Sequence, residues 1–347
     1  MENAAHTLAG LLLARLGFDR AGPAATATVV VASNLPDVDI VGTAWGGQPW
    51  YLCHHRGLTH AVVGLFVQGL LLGGAAWLIA GRRSRAPRLA PMLAAAWAGL
   101  FLHLGMDGLN NYGIRPWLPF DPRWVYGDLV FIVDPWLWLT LGAGACLGSP
   151  ARGRPWGWAV FVLAGTALLA VAGRSPPGAT VLWGLGMAAV LVTRWRRRSI
   201  DTRRRWAVAA AVAAVVYLLG LVALQRQARA LGDAALPAQL RAEEGLEVRS
   251  LVARPCVPWR YGMLAQTEHR FYRLDLDVLR GTAVLEGWQE RHLDDPGIER
   301  ARDTPEYHAW RVFARHPFAG RWQGDLILGD GRYARDARPS WSNLRVP

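Results

Sequence analysis

The sequence predicts a mainly α-helical protein, in which a polytopic transmembrane helical bundle is followed by a small C-terminal β-rich domain outside the membrane. Two observations support this prediction. Of the 347 residues, 52% are hydrophobic and only 18% are charged, which is too apolar for an ordinary soluble protein of this length. The long apolar runs also end near residue 225, after which the sequence becomes polar.

Six long apolar runs account for the predicted bundle. A helix needs about 20 residues to cross the hydrocarbon core, within a range of roughly 17 to 25. Two shorter stretches, 8–16 and 24–33, would form interfacial helices, a re-entrant hairpin or two tilted crossings. We therefore predict a transmembrane domain over residues 1–225. The six runs cover residues 62–80, 89–104, 129–148, 156–173, 179–193 and 206–224.

The arginines between these runs predict the orientation. Alternate connections hold 13 arginines, and the opposite connections hold 3. Because cytoplasmic loops carry the excess of positive charge, we expect a multi-pass protein of the cell (inner) membrane, with residues 105–128 and the C-terminal region on the extracytoplasmic side. Zero or two crossings before residue 61 both leave His6 and Asp37 on that side. The N-terminus has no basic region of a cleaved signal peptide.

The C-terminal part alternates apolar and polar residues. Segments such as HRFYRLDLDVL and RWQGDLILGDGRY end in Gly or Asp turns, and a period of two residues indicates β-strands. We predict an extracytoplasmic β-rich domain over residues 226–347.

The charge distribution argues against a nucleic-acid partner, and the cysteine content argues against disulfide or cysteine-zinc chemistry. The net charge is +12, but the arginines cluster between apolar runs as topology signals do, so we expect no nucleic-acid partner. Cys53, Cys146 and Cys256 are few and widely scattered. They support neither a disulfide framework nor a cysteine-type zinc site.

Two groups of candidate metal ligands lie before the first long run. Asp37 and Asp39 follow Pro36 in SNLPDVDIVG, and i and i+2 side chains in an extended segment share a face. The alternative is a capped helix end. HHRGLTH places three histidines in seven residues, beside Arg56, whose planar fork suits an anionic group such as phosphate. The alternative there is an interfacial loop with Thr59 as a helix cap.

A third group lies at the outer end of the second long run. His103 and Asp107 in HLGMDGLNNYG are four residues apart, so on a helix they share one face and can share a metal. Their alternative role is interfacial anchoring. Asp134 lies inside the apolar run LVFIVDPWLWL, where a carboxylate is costly and usually functional. Asp128, six residues before Asp134, lies at the predicted outer end of the same run.

These residues predict one metal centre at one membrane face. Mixed imidazole and carboxylate ligands suit zinc, with manganese or iron also acceptable, and the number of candidates would serve one or two ions. A lone His6 is weak evidence by itself, but it belongs to the same face. The predicted metal ligands are His6, Asp37, Asp39, His55, His60, His103, Asp107 and Asp134.

The motifs together resemble the YdjM-like family of membrane-bound metal-dependent hydrolases. The resemblance rests on His6, NLPDVD, HRGLTH, HLGMDGLNNYG, PFDPRW and DLVFIVDPWLW, and it extends to PCVPWRY in the C-terminal part. It implies a metal-dependent hydrolase and carries over His55, Arg56, His60, His103, Asp107, Asp128 and Asp134. His54 is an extra histidine outside this pattern.

We therefore predict a membrane-bound hydrolase of a phosphoester or other ester at the membrane surface, which uses metal-activated water. Asp37 or Asp107 would act as the general base, and Arg56 would clamp negative charge. Membrane lipids are the expected partners, and a lipid or envelope phosphoester is the expected substrate. The alternatives are an ion or small-solute transporter with an intramembrane His/Asp site, and a non-catalytic metal-stabilised membrane scaffold.

Overall fold

A computed structural model describes residues 2–82, 88–149, 155–171, 176–196, 203–236, 246–254 and 256–346. The described chain is mostly helical and carries separate β-sheets at its C-terminal end, as predicted. The chain divides into two compact units. Unit 1 comprises Met1–Pro36, Thr59–Ala223 and Ala253–Pro258, and unit 2 comprises Asp37–Leu58, Leu224–Val252 and Trp259–Pro347.

Nine helices are described before residue 236. They are α1 (Asn3–Leu16), α2 (Pro23–Ala32), α3 (Thr43–His54), α4 (Val62–Gly81), α5 (Leu89–Gly108), α6 (Pro135–Leu147), α7 (Pro155–Val171), α8 (Pro177–Arg196) and α9 (Arg203–Ala235). Short 3-10 helices cover Phe18–Ala21, Leu35–Gly42 and Leu58–His60.

Four of the described helices, α4, α5, α8 and α9, are long and apolar enough to cross a membrane. A bent pair, Ala24–Ala32 with Leu35–His54, passes the same test as one further span. Helix α7 covers the described part of the run 156–173. Several of the arginines that predict the orientation lie at 83–87, 150–154 and 197–202, outside the described residues. The orientation therefore stays a prediction.

Two predicted segments differ from the structure. The run 129–148 is not one helix, because α6 begins only at Pro135 and has 13 residues. Proline at the first helical position and the carboxylate of Asp134, which accepts from the backbone N–H of Trp136 and Leu137, fix that start. Helix α9 continues to Ala235, so residues 226–235, expected in the β-rich domain, are helical.

Small residues let the helices of unit 1 pack closely. A Cβ at Gly99 of α5 would lie 2.6 Å from the Val29 carbonyl oxygen of α2, and a Cβ at Gly73 of α4 would lie 2.9 Å from the backbone of Leu93 in α5. Such contacts are typical of apolar helix pairs whose backbones approach each other. Buried Trp183 of α8 donates to the Pro135 carbonyl oxygen at 2.8 Å. The contacts at Gly99 and Gly73 hold α5, which carries two of the candidate ligands.

Two sheets follow the helices, and most of their residues belong to unit 2. The first has the order β1 (Glu247–Arg254), β2 (Val257–Gln266), β3 (Arg270–Asp277), β4 (Thr282–Glu290), and the second has the order β5 (Pro317–Trp322), β6 (Asp325–Asp330), β7 (Leu344–Val346). Both segments predicted to be strands are strands, at β3 and at the β5–β6 hairpin. Gln323 and Gly324 connect that hairpin with φ of 52° and 94°, as a two-residue turn with two positive φ angles requires.

Two helices, α10 (Pro296–Arg300) and α11 (Pro305–Phe313), lie between the sheets in the chain. Helix α11 packs on α3 in the same unit. The Gln48 side chain of α3 donates to the carbonyl oxygens of Ser340 and Trp341 at 2.9 Å each. The segment 37–58 therefore has its own partners in unit 2.

A buried ion pair stabilises unit 2. Asp330 accepts from the Arg332 guanidinium at 2.7 Å and from the Arg315 backbone N–H at 2.8 Å. Burial alone would raise the pKa of Asp330, but the charge and hydrogen bonds of Arg332 outweigh it and hold this pKa below its usual value.

Candidate metal centre

Helix α5 brings the first two candidate ligands together, as the spacing predicts. His103 and Asp107 are four residues apart, so they lie on one face of the helix. His103 Nε2 is 3.4 Å from Asp107 Oδ2, and both side chains are fully buried. A carboxylate in such a place is costly unless a cation or strong donors face it.

His60 joins this pair from a distant part of the sequence. It ends the 3-10 helix Leu58–His60, directly before α4. Its Nε2 is 3.0 Å from His103 Nε2 and 3.5 Å from Asp107 Oδ2, and its side chain is also fully buried. We call these three residues the His/Asp triad.

Hydrogen bonds on the far side of each imidazole direct its Nε2 toward the triad. His103 Nδ1 lies 2.9 Å from the Ser33 carbonyl oxygen. Because a carbonyl only accepts, this Nδ1 carries the proton and the Nε2 lone pair is left for the centre. His60 Nδ1 lies 3.1 Å from the Thr59 hydroxyl. Partners of this kind orient metal-binding histidines.

The three atoms fit a divalent ion. The circle through the two Nε2 atoms and Asp107 Oδ2 has a radius of about 1.9 Å, close to the roughly 2.0–2.2 Å over which zinc binds imidazole nitrogen and carboxylate oxygen. Two imidazoles and one carboxylate are also a ligand set that zinc uses. The donors and their spacing could therefore hold a metal ion.

His6 contacts the triad from α1. Its ring stacks on His103 with a centroid distance of 3.9 Å, and its Nε2 is 3.3 Å from Asp107 Oδ1. It thus faces the carboxylate oxygen opposite to the one that faces His60 and His103. His6, a predicted metal ligand, is in neither group of described residues whose ligand atoms could hold one ion.

Unit 2 holds a second group, in which Asp37, Asp39 and His55 each offer an atom within 4.8 Å of the others. Asp39 Oδ1 is 2.9 Å from His55 Nδ1, and Asp39 Oδ2 accepts from the Arg56 backbone N–H at 3.0 Å. Arg56 adopts a positive φ of 58° and is buried. The structure thus pairs Asp39 with His55, an arrangement that fixes the orientation of the imidazole.

The remaining candidates lie outside both groups. Asp134 caps α6, and its second oxygen accepts from the Tyr217 hydroxyl at 2.9 Å. This buried acid thus has the hydrogen bonds of a helix cap. The sequence predicted it as a metal ligand and did not predict the cap. His54 is exposed and stacks on Trp50. Asp128 has a positive φ of 53° and is part of neither group among the described residues.

Several polar residues, buried or half-buried, were missed by the sequence interpretation. Ser33 and Thr59 orient the triad histidines, and nothing in their local sequence distinguishes them from helix-capping residues. Asn110, Asn111 and Arg115 are also buried, in the segment that follows Asp107. A signal existed here, because NNYG ends the HLGMDGLNNYG motif and has no helical or strand pattern.

The comparisons with known proteins bear on the N-terminal half. The sequence model of the family described as YdjM inner membrane protein matches residues 1–176. This range contains every residue of the triad and of the second group. No curated protein and no solved structure matches the chain.

Proposed function

The chain belongs to the YdjM inner membrane protein family, and from this premise we propose that it is a membrane-bound, metal-dependent hydrolase whose ion is held by His60, His103 and Asp107. The observation that carries the proposal is the set of three buried ligand atoms 3.0 to 3.5 Å apart. Three protein ligands leave a fourth position of a tetrahedral ion for water or substrate.

The bound ion would lower the pKa of a water molecule and polarise the ester. The chain itself would hold and orient the site. We assign Asp107 to metal binding rather than to proton transfer, because its Oδ2 lies within 3.5 Å of both Nε2 atoms. His6 would orient Asp107 through the other oxygen. The roles of Asp37 as general base and Arg56 as clamp come from the sequence and remain part of the proposal.

A lipid or another envelope molecule is the proposed source of the ester. The support is the membrane family and the apolar helices that surround the triad: α4 begins two residues after His60, and α5 carries His103 and Asp107. Both helices are long enough to cross a bilayer. We further propose that the site and the C-terminal unit lie on the extracytoplasmic side.

The test is metal content and phosphoesterase turnover of the full chain in detergent. His60→Ala and Asp107→Ala should each lose the metal and the turnover. His54→Ala is the matched control, because His54 lies in the same HHRGLTH motif but is exposed, so it should retain both. Unchanged metal content in the His60 and Asp107 variants would refute the site.

Full burial of the triad supports a second candidate, the metal-stabilised scaffold. Structural zinc sites are closed, whereas catalytic sites keep an open position, and all three side chains here have no exposed surface. A scaffold predicts that His103→Ala lowers the melting temperature and that the loaded protein hydrolyses no ester. A hydrolase predicts turnover with metal and little without it.

The transporter alternative has less support. It depended on Asp134 and the histidines as an intramembrane ion site, and the contacts of Asp134 are those of a helix cap. Liposome flux that requires Asp134 and not the triad would favour the transporter.

A further inference from the structure

The chain from Asp39 to Arg56 returns to the place where it begins. Asp39 Oδ1 is 2.9 Å from His55 Nδ1, and Asp39 Oδ2 accepts from the Arg56 backbone N–H at 3.0 Å. Asp39 and His55 are 16 residues apart, and in a straight α-helix they would lie about 24 Å from each other. The second half of the bent pair therefore folds back on itself and does not complete a crossing. We call residues 39–56 the return segment.

Glycine and tryptophan make the return segment compact. Gly47 has a φ of 61°, which interrupts α3 and is a conformation that glycine adopts without a steric cost. The Trp50 side chain lies over two further glycines, because a Cβ at Gly42 or at Gly46 would overlap it. The return segment is therefore a folded turn rather than an extended linker.

One side of the return segment is covered by other parts of unit 2. The Gln48 side chain donates to the carbonyl oxygens of Ser340, Trp341 and Asn343 at 2.9 to 3.1 Å, and α11 packs on α3. These contacts fix which side of the segment faces protein.

The other side of the return segment is apolar and exposed. Ile40 is 53% exposed, Val41 52% and Trp45 82%. No Lys, Arg, Asp or Glu occurs from residue 40 to residue 53. Exposed apolar patches of this kind mark interaction surfaces, and tryptophan is enriched where a protein meets the interface between lipid and water.

The chain connection places a membrane surface within reach of this patch. Only residues 57–61 separate Arg56 from Val62, the first residue of α4, which is long and apolar enough to cross a membrane. Five extended residues cover at most about 18 Å. A bilayer that contains α4 therefore lies close to the return segment.

We propose that the return segment lies in the bilayer interface, with Ile40, Val41 and Trp45 in contact with lipid. Its ends are on one membrane face, so it adds no further span to those of α4, α5, α8 and α9. The inference does not depend on the proposed hydrolysis, and it gives unit 2 a direct contact with the membrane surface.

The test measures the depth of a spin label at Trp45→Cys in the full chain, reconstituted in lipid nanodiscs. Collisions with dissolved oxygen, which is enriched in lipid, are compared with collisions with a water-soluble nickel chelate. The label should lie about 5–10 Å below the lipid headgroups, the depth of an interfacial helix. Wild-type protein treated in the same way gives the background from its 3 cysteines.

Two reference positions calibrate this depth. Leu71→Cys, at an exposed position of α4, gives the reading for the lipid core, and Arg302→Cys, at an exposed position of unit 2, gives the reading for water. If Trp45→Cys does not fold, Val41→Cys should report the same interfacial depth.

Three outcomes would overturn the inference. A label that collides with the nickel chelate as often as the one at Arg302→Cys would place the segment in water. A label as deep as the one at Leu71→Cys would indicate a crossing. A label shielded from both reagents would show that protein, and not lipid, covers the patch.

Discussion

The hydrogen bond between Thr59 and His60 gives a sharp test of the metal centre. The Thr59 hydroxyl is 3.1 Å from His60 Nδ1, on the side of the ring opposite to the triad. Thr59→Val removes the hydroxyl with little change of shape. It also keeps the Thr59 backbone carbonyl, which accepts from Gln68 at 2.7 Å. The change therefore affects the orientation of His60 and not the ligand atoms.

The expected magnitude follows from this outer position. Loss of an outer partner of a metal-binding histidine costs about 10- to 100-fold in metal affinity, which corresponds to roughly 1.4 to 2.7 kcal/mol. The assay is competition between the purified protein in detergent and a chromophoric zinc chelator. His60→Ala, which removes the ligand itself, should bind zinc more weakly than Thr59→Val.

Thr140→Val is the matched control. Its hydroxyl bonds the Trp136 carbonyl oxygen within α6 at 2.8 Å, so this variant loses a threonine hydroxyl away from the triad. A zinc affinity of Thr59→Val within twofold of both the wild type and Thr140→Val would refute the idea that Thr59 orients a ligand. It would favour a hydrogen-bonded histidine pair that binds no metal.

Other predictions concern the stability of each unit. Asp330→Asn should destabilise unit 2 by about 3–5 kcal/mol, because it leaves the buried charge of Arg332 without its partner. Asp325→Asn, at an exposed ion pair, should cost only about 0–1 kcal/mol. Equal denaturation midpoints of the two variants would contradict this prediction. The pKa of Asp330 is lowered in the folded state. Its contribution to the free energy of unfolding is therefore complete above the unfolded pKa of about 3.9 and is lost as pH falls through the lower folded pKa. An acid titration followed by tryptophan fluorescence, with Asp330→Asn for comparison, checks this prediction. In unit 1, Gly99→Ala should cost about 1–3 kcal/mol of stability by overpacking against α2. Gly74→Ala, with open space at its Cβ, should be neutral or stabilising. The melting temperatures of the two variants in detergent test this difference.

The sequence determined the features that depend on local pattern. The apolar runs predict α4, α5, α8 and α9 because the length and composition of one segment decide whether it can span a bilayer. The spacing of four between His103 and Asp107 predicts their shared face because the helical period is a local property. The alternating residues of β3 predict a strand for the same reason.

The tertiary structure decided which of the candidate ligands meet. His60 is 43 residues from His103 in sequence, and no periodicity records the 3.0 Å between their Nε2 atoms. Asp134 has the sequence context of an intramembrane ion site, but the position of Tyr217, far along the chain, and the start of α6 make it a helix cap. Arg115 is buried against the Trp124 ring, a contact that no local pattern predicts. Contacts between distant segments form only when helices pack, so local sequence cannot specify them.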